Sequence, residues 1–525
     1  MDSSEIIAGI KKKIPDFNAL AVSQDYPDEI RVKVEQRFFR DACFVLHKIL
    51  SSPLMMLFAL DERGQTGNYA VNCVFVNLKN SQWVIVNTDI LPENPCFDSL
   101  AKNMHSASLF EREIREMFGI EPKGNPDLRR LRLHDEVWPR GNYPLRKDFQ
   151  KIQAGDLIEY KFDRVEGEGI FEVPVGPVHA GIIGPGHFRF SVAGEPIINL
   201  ESRLGFTHRG VEKLFEGKPC FDAVGLSECI CGDSSFAHSL AFIQSAEKIC
   251  GVSISAQTAY LRGIFLELER MYNHVSDIAG IAVDVGFSFP SAYASVIKET
   301  VLQLNEKLSG NRYLKRINLA GGVSVEIDEN RKNALLVSIG KIRQDFRELV
   351  KILNSSVSFM DRVDTAGVLR KKTAEGLGVL GLAGRASGIP LDLRKYFSGI
   401  YKEAKFNIAT QESGDVLARL RIRFFEFEES CRLIEEFAGK LTKGDNIKIS
   451  PQVKAGSALG YAEGWRGPVL YWLKIDPAGL IERCKIVDPS FLNWQGLSYA
   501  VLGNIIPDFP VCNKSFDLSY SGNDL

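Results

Sequence analysis

What this sequence lacks narrows it first. No apolar run comes near the roughly 18 residues that suggest a bilayer span, and the opening MDSSEIIAGIKKKIPDF has no long apolar core before a small-residue cleavage site. Neither a membrane-spanning segment nor a secretory signal is expected. No charge sign is in excess: 64 Lys and Arg stand against 66 Asp and Glu, a formal net charge of -2. That excludes the basic footprint of a nucleic-acid binder and a polybasic membrane anchor. There is no internal repeat and no low-complexity tract. No G-x-G-x-x-G follows a strand-like run, so nicotinamide chemistry is not expected in this chain. The 10 cysteines have no framework spacing and read as reduced thiols.

What is present is a chain of 525 residues with ordinary globular composition, too long for one hydrophobic core. The first 150 residues or so mix short strand-like and helix-like runs. YAVNCVFVNL and QWVIVNTDIL have the β-branched and aromatic content of strands. DSLAKNMHSASLFEREIREMFG reads as a helix stopped by Gly119. The Pro-, Gly- and Arg-rich stretch after it is expected to lie extended on a surface. Residues 151–173, with alternating charge and glycine, mark a plausible boundary. Beyond them helical periodicity dominates, over 236–250, 257–284, 292–310, 328–360 and 412–442. HFRFSVAGEPIINL and GPVLYWLKI add strand-like pieces. The fold class is therefore α+β: a small mixed α/β N-terminal domain, then a large, mainly helical domain with small antiparallel sheets.

Four stretches invite chemistry. In the helix over 257–284, Leu261, Phe265, Leu268, Tyr272, Val275 and Ala279 form a core face. Glu267, Arg270, His274 and Asp277 form a nearly opposite stripe. The wheel alone favours a solvated face with helix-spaced charge pairs, against a buried polar network. GPVHAGIIGPGHFRF sets His179 and His187 among Gly and Pro at no zinc-like spacing. A tight hairpin is favoured over an imidazole at a cavity wall. THRGVEKL places His208 and Arg209 just before a helix, equally a surface turn. SECICGDSSFAHS has Cys229 and Cys231 but no second pair nearby, and Ser234 where a C-x-x-C would want a thiol. DFPVCNKSF repeats the C-x-x-S spacing with Cys512 and Ser515. On spacing alone these cysteines read as small buried fillers.

A resemblance adds to this reading. LFEREIREMFGIEPKGNPDLRRLRLHDEVWPRGNYPLRKDF resembles the end of the 30-kDa subunit of respiratory complex I. GPVHAGIIGPGHFRF, GFTHRGVEKL, ELERMYNHVSDIAGIAVDVG, GRASGIPLDLRK, GDVLARLRIRFFE and AEGWRGPVLYW resemble the 49-kDa subunit. They are more similar still to the large subunit of membrane-bound, energy-converting nickel–iron hydrogenases, including formate hydrogenlyase. The resemblance implies a 30-kDa-like domain over 1–155 and a 49-kDa-like, hydrogenase-large-subunit-like domain over 156–525.

Where the family's hydrogenases read E-R-V-C-G-I-C-G-F-A-H-S, this chain reads E-C-I-C-G-D-S-S-F-A-H-S. Glu228 takes the place of a proton-gating glutamate and Cys231 that of the first metal ligand. Ser234 replaces the second ligand cysteine. Cys512 matches one cysteine of the C-terminal pair, and Ser515 stands in for the other. A neutral, hard hydroxyl does not replace a soft thiolate, so the resemblance implies no nickel–iron centre and no cofactor held by this chain itself. His179 matches a quinone-pocket histidine of complex I, whose tyrosine partner has no counterpart between Tyr160 and Tyr260. The implied role is a peripheral electron-transfer subunit on the cytoplasmic side of the cell membrane. Its implied partners are a small iron–sulfur subunit and membrane antiporter-like and anchor subunits. Its implied acceptor is quinone-like, in a cavity lined by His179, Glu228, Cys231, Arg466 and His238. Two alternatives are a structural coupler with a vestigial chamber and a working nickel–iron hydrogenase.

Overall fold

The computed structural model describes residues 3–180, 183–397, 399–442 and 451–525. Met1 and Asp2 of the opening segment, and Gly181 and Ile182 of the glycine-rich stretch, lie outside the described residues. The fold is α+β, as expected. After helix α1 (Ser3–Lys13), strands β1 (Ala19–Tyr26), β2 (Glu29–Val34), β3 (Met56–Asp61), β4 (Tyr69–Asn77) and β5 (Gln82–Ile90) make a five-stranded sheet in the order β1-β2-β5-β4-β3. Only the β2–β5 pairing is parallel. Helix α2 (Gln36–Leu50) follows β2 and buries Phe39, Ala42, Cys43 and Leu46. Strand β4 is buried along its whole length, covered on both faces, which is why its sequence is nearly continuous in apolar residues.

Helix α3 is shorter than its sequence suggests, spanning only Ala107–Phe118. The preceding residues turn back instead: Ser99 Oγ donates to the Glu111 carboxylate at 2.6 Å, and Leu100 N does so at 2.6 Å. Gly119 ends the helix with φ 69°. The Arg-rich stretch after it has little regular structure, but it does not simply lie on a surface. Arg132, Leu133, Asn142 and Leu145 are buried, and Arg132 donates to Asn523 O at 2.7 Å. Aperiodic sequence marked the lack of helix; it carried no sign that both halves of the chain would close over it.

The second half begins with an antiparallel sheet of β6 (Ile170–Val175), β7 (His187–Ala193) and β8 (Ile197–Arg203). Helices α4 (Ser235–Cys250), α5 (Ala256–Asp284), α6 (Ser288–Ser309) and α7 (Glu329–Ser355) follow. The helix expected over 328–360 breaks at Ser356, whose hydroxyl caps a new helix at Phe359 N. Helix α8 (Val416–Lys440) starts at Asp415, whose carboxylate caps Ala418 N. Strands β9 (Gly456–Glu463), β10 (Pro468–Ile475) and β11 (Ile481–Val487) form a second antiparallel sheet. Gly460 lets β9 lie directly on α4: a Cβ there would stand 2.0 Å from Ala241 O. Helices α9 (Ser490–Ala500), α10 (Phe509–Phe516) and α11 (Tyr520–Asp524) end the described chain. Among the described residues no helix is long and apolar enough to cross a membrane.

The core of the first sheet does not stop at the N-terminal region. Leu470, Trp472, Val487, Phe491 and Leu492 belong to the same buried cluster as Phe58, Trp83 and Phe110. Phe58 meets Trp472 at 4.9 Å between ring centroids, and Trp83 stacks on Phe397 at 4.9 Å.

Candidate functional site

The turn carrying Cys231 is held from α5. The Glu269 carboxyl accepts from Phe236 N and Ala237 N, at 2.7 and 3.0 Å, at the start of α4. Burial pushes that carboxyl up to about 8 against these two amides. Tyr272 Oη and Asn273 Nδ2 donate to Asp233 O at 3.0 and 2.7 Å. The turn is thereby fixed one residue before Ser234, and Cys231 faces inward, 2% exposed.

Cys231 Sγ donates to Asp233 Oδ1 at 2.9 Å and lies 3.0 Å from Ser519 Oγ. Arg466 grips the same carboxylate through Nη1 and Nη2 at 2.7 and 2.8 Å, reaches Cys231 Sγ at 3.4 Å and pairs with Asp517 at 3.4 Å. Its guanidinium lies over the Trp465 ring, and the Trp465 indole donates to Ser234 Oγ at 3.0 Å. The loop bearing Trp465 and Arg466 is pinned by Gly381 (φ 65°), where a Cβ would come 1.9 Å from Arg466 O. Burial, then the Asp233 charge, push the Cys231 thiol well above its usual range, with Arg466 opposing. Burial also pulls Asp233 upward, but Arg466 overrides it and leaves that carboxyl below the usual range.

The second C-x-x-S sits on α10. Ser515 Oγ donates to Cys512 O at 2.6 Å and accepts from Arg419 Nε at 2.8 Å. Arg419 is fully buried, and its other donors go to Gly414 O and Gly367 O at 2.6 and 2.9 Å. Among the described residues no carboxylate pairs with it, and burial brings it down to about 10. Burial pushes Cys512 up to about 12. The four positions thus offer two thiols and two hydroxyls already committed within the chain. That donor set does not fit a centre held by four thiolates. Among the described residues no group of three or more His, Cys, Asp or Glu is placed to hold a metal ion. Cys229, read with the others as a buried filler, is exposed.

His179 has a tyrosine after all, from the far end of the chain. Its Nε2 lies 3.2 Å from Tyr520 Oη, across 341 residues. The Tyr520 ring packs at 4.8 Å on Trp494 and against Gly184 and Gly186, where a Cβ would stand 2.9 and 2.6 Å from it. His179 is half-buried, which pulls its imidazole below the ordinary range. Tyr520 follows Ser519, so two adjacent residues reach His179 and Cys231. No periodicity or spacing marks Asp517, Ser519 and Tyr520 in the sequence. Only their place after Cys512 and Ser515 pointed near the site.

The other candidates have partners of their own. Glu228 accepts from Arg316 N at 2.6 Å and is held up by burial. His238 bridges Tyr471 Oη at 3.0 Å and Asp488 Oδ2 at 3.1 Å, wholly buried. Neither shares a hydrogen bond or ion pair with Arg466 or His179 among the described residues. His208 and Arg209 are more than a surface turn: His208 Nδ1 bonds Asp524 O at 2.7 Å, and Arg209 Nη1 donates to Cys229 O at 2.8 Å.

The stripe on α5 is a buried network, not a solvated face. Glu267, Arg270, His274 and Asp277 are at most 1% exposed. Arg270 joins Glu267 and Glu426, His274 Nε2 meets Glu426 at 2.9 Å, and Arg423 meets Asp277 at 2.6 Å. Arg385 and Arg394 extend it to Glu463 and Asp392. A helical wheel shows polarity but not what covers it, and here α8 supplies the covering charges.

Comparison with known proteins identifies the family. The family model of the respiratory-chain NADH dehydrogenase 30 Kd subunit matches residues 32–154, and that of the 49 Kd subunit matches residues 284–452. Formate hydrogenlyase subunit 5 of Escherichia coli is 30% identical over 507 residues, 95% of this chain and 89% of that protein. Hydrogenase-4 component G of Escherichia coli is 30% identical over 99% of this chain and 92% of its own length. The C/D subunit of NADH-quinone oxidoreductase from Bacteroides thetaiotaomicron is 28% identical over 71% of this chain and 75% of its length. A chain from the membrane-bound sulfane sulfur reductase, an archaeal respiratory membrane complex, shares the fold. Its TM-score is 0.64 at 24% identity, over 70% of this chain and all of that one. The chain therefore belongs to the family in which the 30 Kd and 49 Kd subunits of respiratory-chain NADH dehydrogenase are joined in one polypeptide, alongside the formate hydrogenlyase and hydrogenase-4 subunits.

Proposed function

We propose that this chain is an electron-transfer subunit of a membrane-bound, ion-translocating oxidoreductase complex, that it holds no nickel–iron centre, and that it serves a quinone-like acceptor at His179 and Tyr520. The observation that carries the reading is the 3.2 Å contact between His179 Nε2 and Tyr520 Oη at a half-exposed edge. Two such groups suit the carbonyl oxygens of a planar headgroup. Electrons come from an iron–sulfur partner, and the acceptor takes up two electrons and two protons to become the quinol. His179 and Tyr520 hydrogen-bond the headgroup oxygens, and Glu228 is the carboxyl retained as a proton relay. Arg466 contributes by holding Asp233 and Asp517, because its charge is already matched by theirs. The relatives' names support a membrane complex of this class; the acceptor is our inference.

A second reading, the structural coupler, draws on the closed chamber. There Trp465, Arg466, Asp233 and Ser519 fill the space around Cys231. One experiment separates the two. In the purified complex, His179→Ala and Tyr520→Phe are expected to abolish and to weaken reduction of a short-chain quinone. Wild-type rates in both variants would leave the coupler standing and sink the acceptor reading.

A further inference from the structure

Beyond the acceptor pair lies a cluster of charges in which the function proposed above assigns no role to Asp277, Lys514 or Arg423. Asp277, 1% exposed on α5, and Asp517, just after α10, lie within reach of each other around Lys514. Two ionised carboxylates only accept, so a hydrogen bond between them needs a proton on one. Lys514 Nζ stands 2.7 Å from Asp517 Oδ1 and 3.7 Å from Asp277 Oδ1. Gly280 lets it reach them: a Cβ there would lie 2.2 Å from Lys514 Cε. Arg423, from α8, holds the far side of Asp277 at 2.8 and 2.6 Å. Arg466 joins Asp517 to Asp233, and Asp233 meets the Cys231 thiol. Asp284, exposed in the last turn of α5, interacts electrostatically with Lys514 and Asp517. Tyr520 also feels Asp517. Among the described residues, Asp233, Asp277, Asp284 and Asp517 face the cations Arg423, Arg466 and Lys514, while Glu269 also lies against Asp233 and Asp488 against Arg466. Fully ionised, the cluster holds more carboxylates than cations.

We infer that Asp277 and Asp517 form a proton-loading pair, which holds one shared proton and exchanges it between solvent at the end of α5 and the Arg466–Asp233–Cys231 cluster. The inference rests on the reading of the chain as serving an acceptor that takes up protons with its electrons. The shared proton passes from Asp277 to Asp517 and leaves the pair for the Asp233 carboxylate across Arg466; one proton from solvent then enters through Asp517, whose side chain is 22% exposed, and restores the singly protonated pair. Burial first, then the Asp517 charge, push Asp277 up to about 7, so the shared proton is held near neutrality and is not locked in place. Burial acts on Asp517 as well, but Lys514 and Arg466 override it and hold that carboxyl well below its usual range.

Infrared difference spectroscopy of the purified complex tests this directly. Beside the band of protonated Glu269, a further protonated carboxyl band is expected at neutral pH, absent in Asp277→Asn and in Asp517→Asn, and kept in Asp284→Asn. If Asp277→Asn fails to assemble, Asp517→Asn and the carboxyl-preserving Asp277→Glu decide: the first loses the band and the second keeps it. No loss of carboxyl band intensity in either asparagine variant, measured against the wild type, overturns the pair. In turnover, Asp277→Asn is expected to slow reduction of a short-chain quinone roughly a hundredfold, with a larger solvent deuterium effect, while a one-electron dye is reduced at the wild-type rate. Should the wild-type complex reduce no quinone, the acceptor reading fails, and the infrared band still decides the pair.

Discussion

Arg466 does the most at the scale of single residues. It binds Asp233 with two donors, reaches Asp517 and the Cys231 sulfur, and stacks on Trp465. Replacing it by Met leaves both carboxylates without their guanidinium. We expect Arg466→Met to lower unfolding stability by about 2–3 kcal/mol in denaturant titration, less than the full figure for a broken buried pair. The reduction follows from Asp233, whose side chain stays 37% accessible. An effect under about 0.5 kcal/mol would show that the cluster is not held by charge. Of these residues, Cys231, Ser234 and Arg466 were legible only through the family resemblance, and the structure gathers them. Asp233 was in plain view inside SECICGDSSFAHS but looked like any turn aspartate. Tyr520 was unreadable because its meaning depends on a loop more than 300 residues away.

Among the elements, α5 decides most. Its strands-and-helices neighbourhood was legible where periodicity was strong: the bounds of β4, β5, β10 and α4 fall within a residue or two of the sequence reading. The character of its polar stripe was not legible, because a buried network and a wet face share one helical period. Glu269, from this helix, caps α4 and gives a pH test. Its carboxyl sits near 8 against an ordinary 4.5, so the folded protein binds the proton more tightly than the unfolded chain. The stability this proton confers is fully present below pH 4.5 and is lost as pH rises through about 8. Glu269→Gln is expected to flatten that slope and to cost about 1–3 kcal/mol at pH 5, since the amide NH₂ then opposes a helix N–H. Unfolding curves collected between pH 5 and 8 check it; an unchanged slope would assign the pH dependence elsewhere. Gly460→Ala is a second test. Its methyl would meet α4 backbone at 2.0 Å from Ala241 O and 2.6 Å from Ser245 N. Backbone cannot yield as a side chain can, so a loss of about 3 kcal/mol or more is expected in the same assay.

Over the whole molecule, the division into a first and a second half was easier to read than their union. Composition changes at 151–173, yet apolar residues from β10, β11 and α9 complete the core of the first sheet. Charges tie the halves as well: Lys485 pairs with Glu113, Lys474 with Glu62, and Lys248 with Asp28 and Glu29. Contacts between distant halves leave no local trace in sequence. Unfolding of the full chain is expected to show one cooperative transition by both fluorescence and circular dichroism. Residues 1–155 expressed alone are expected to be poorly soluble, because Phe58 and Trp83 lose Trp472, Phe397 and Tyr461. Two separate transitions, with a stable isolated fragment, would contradict a shared core.

The positions of Cys231, Ser234, Cys512 and Ser515 either grip a metal pair or are closed by the chain's own groups. Elemental analysis of the purified complex for nickel, with a parallel infrared search for carbon monoxide and cyanide bands, asks that question most directly. No stoichiometric nickel and no such bands are the expected result. One nickel per chain, lost on Cys231→Ala, would contradict it.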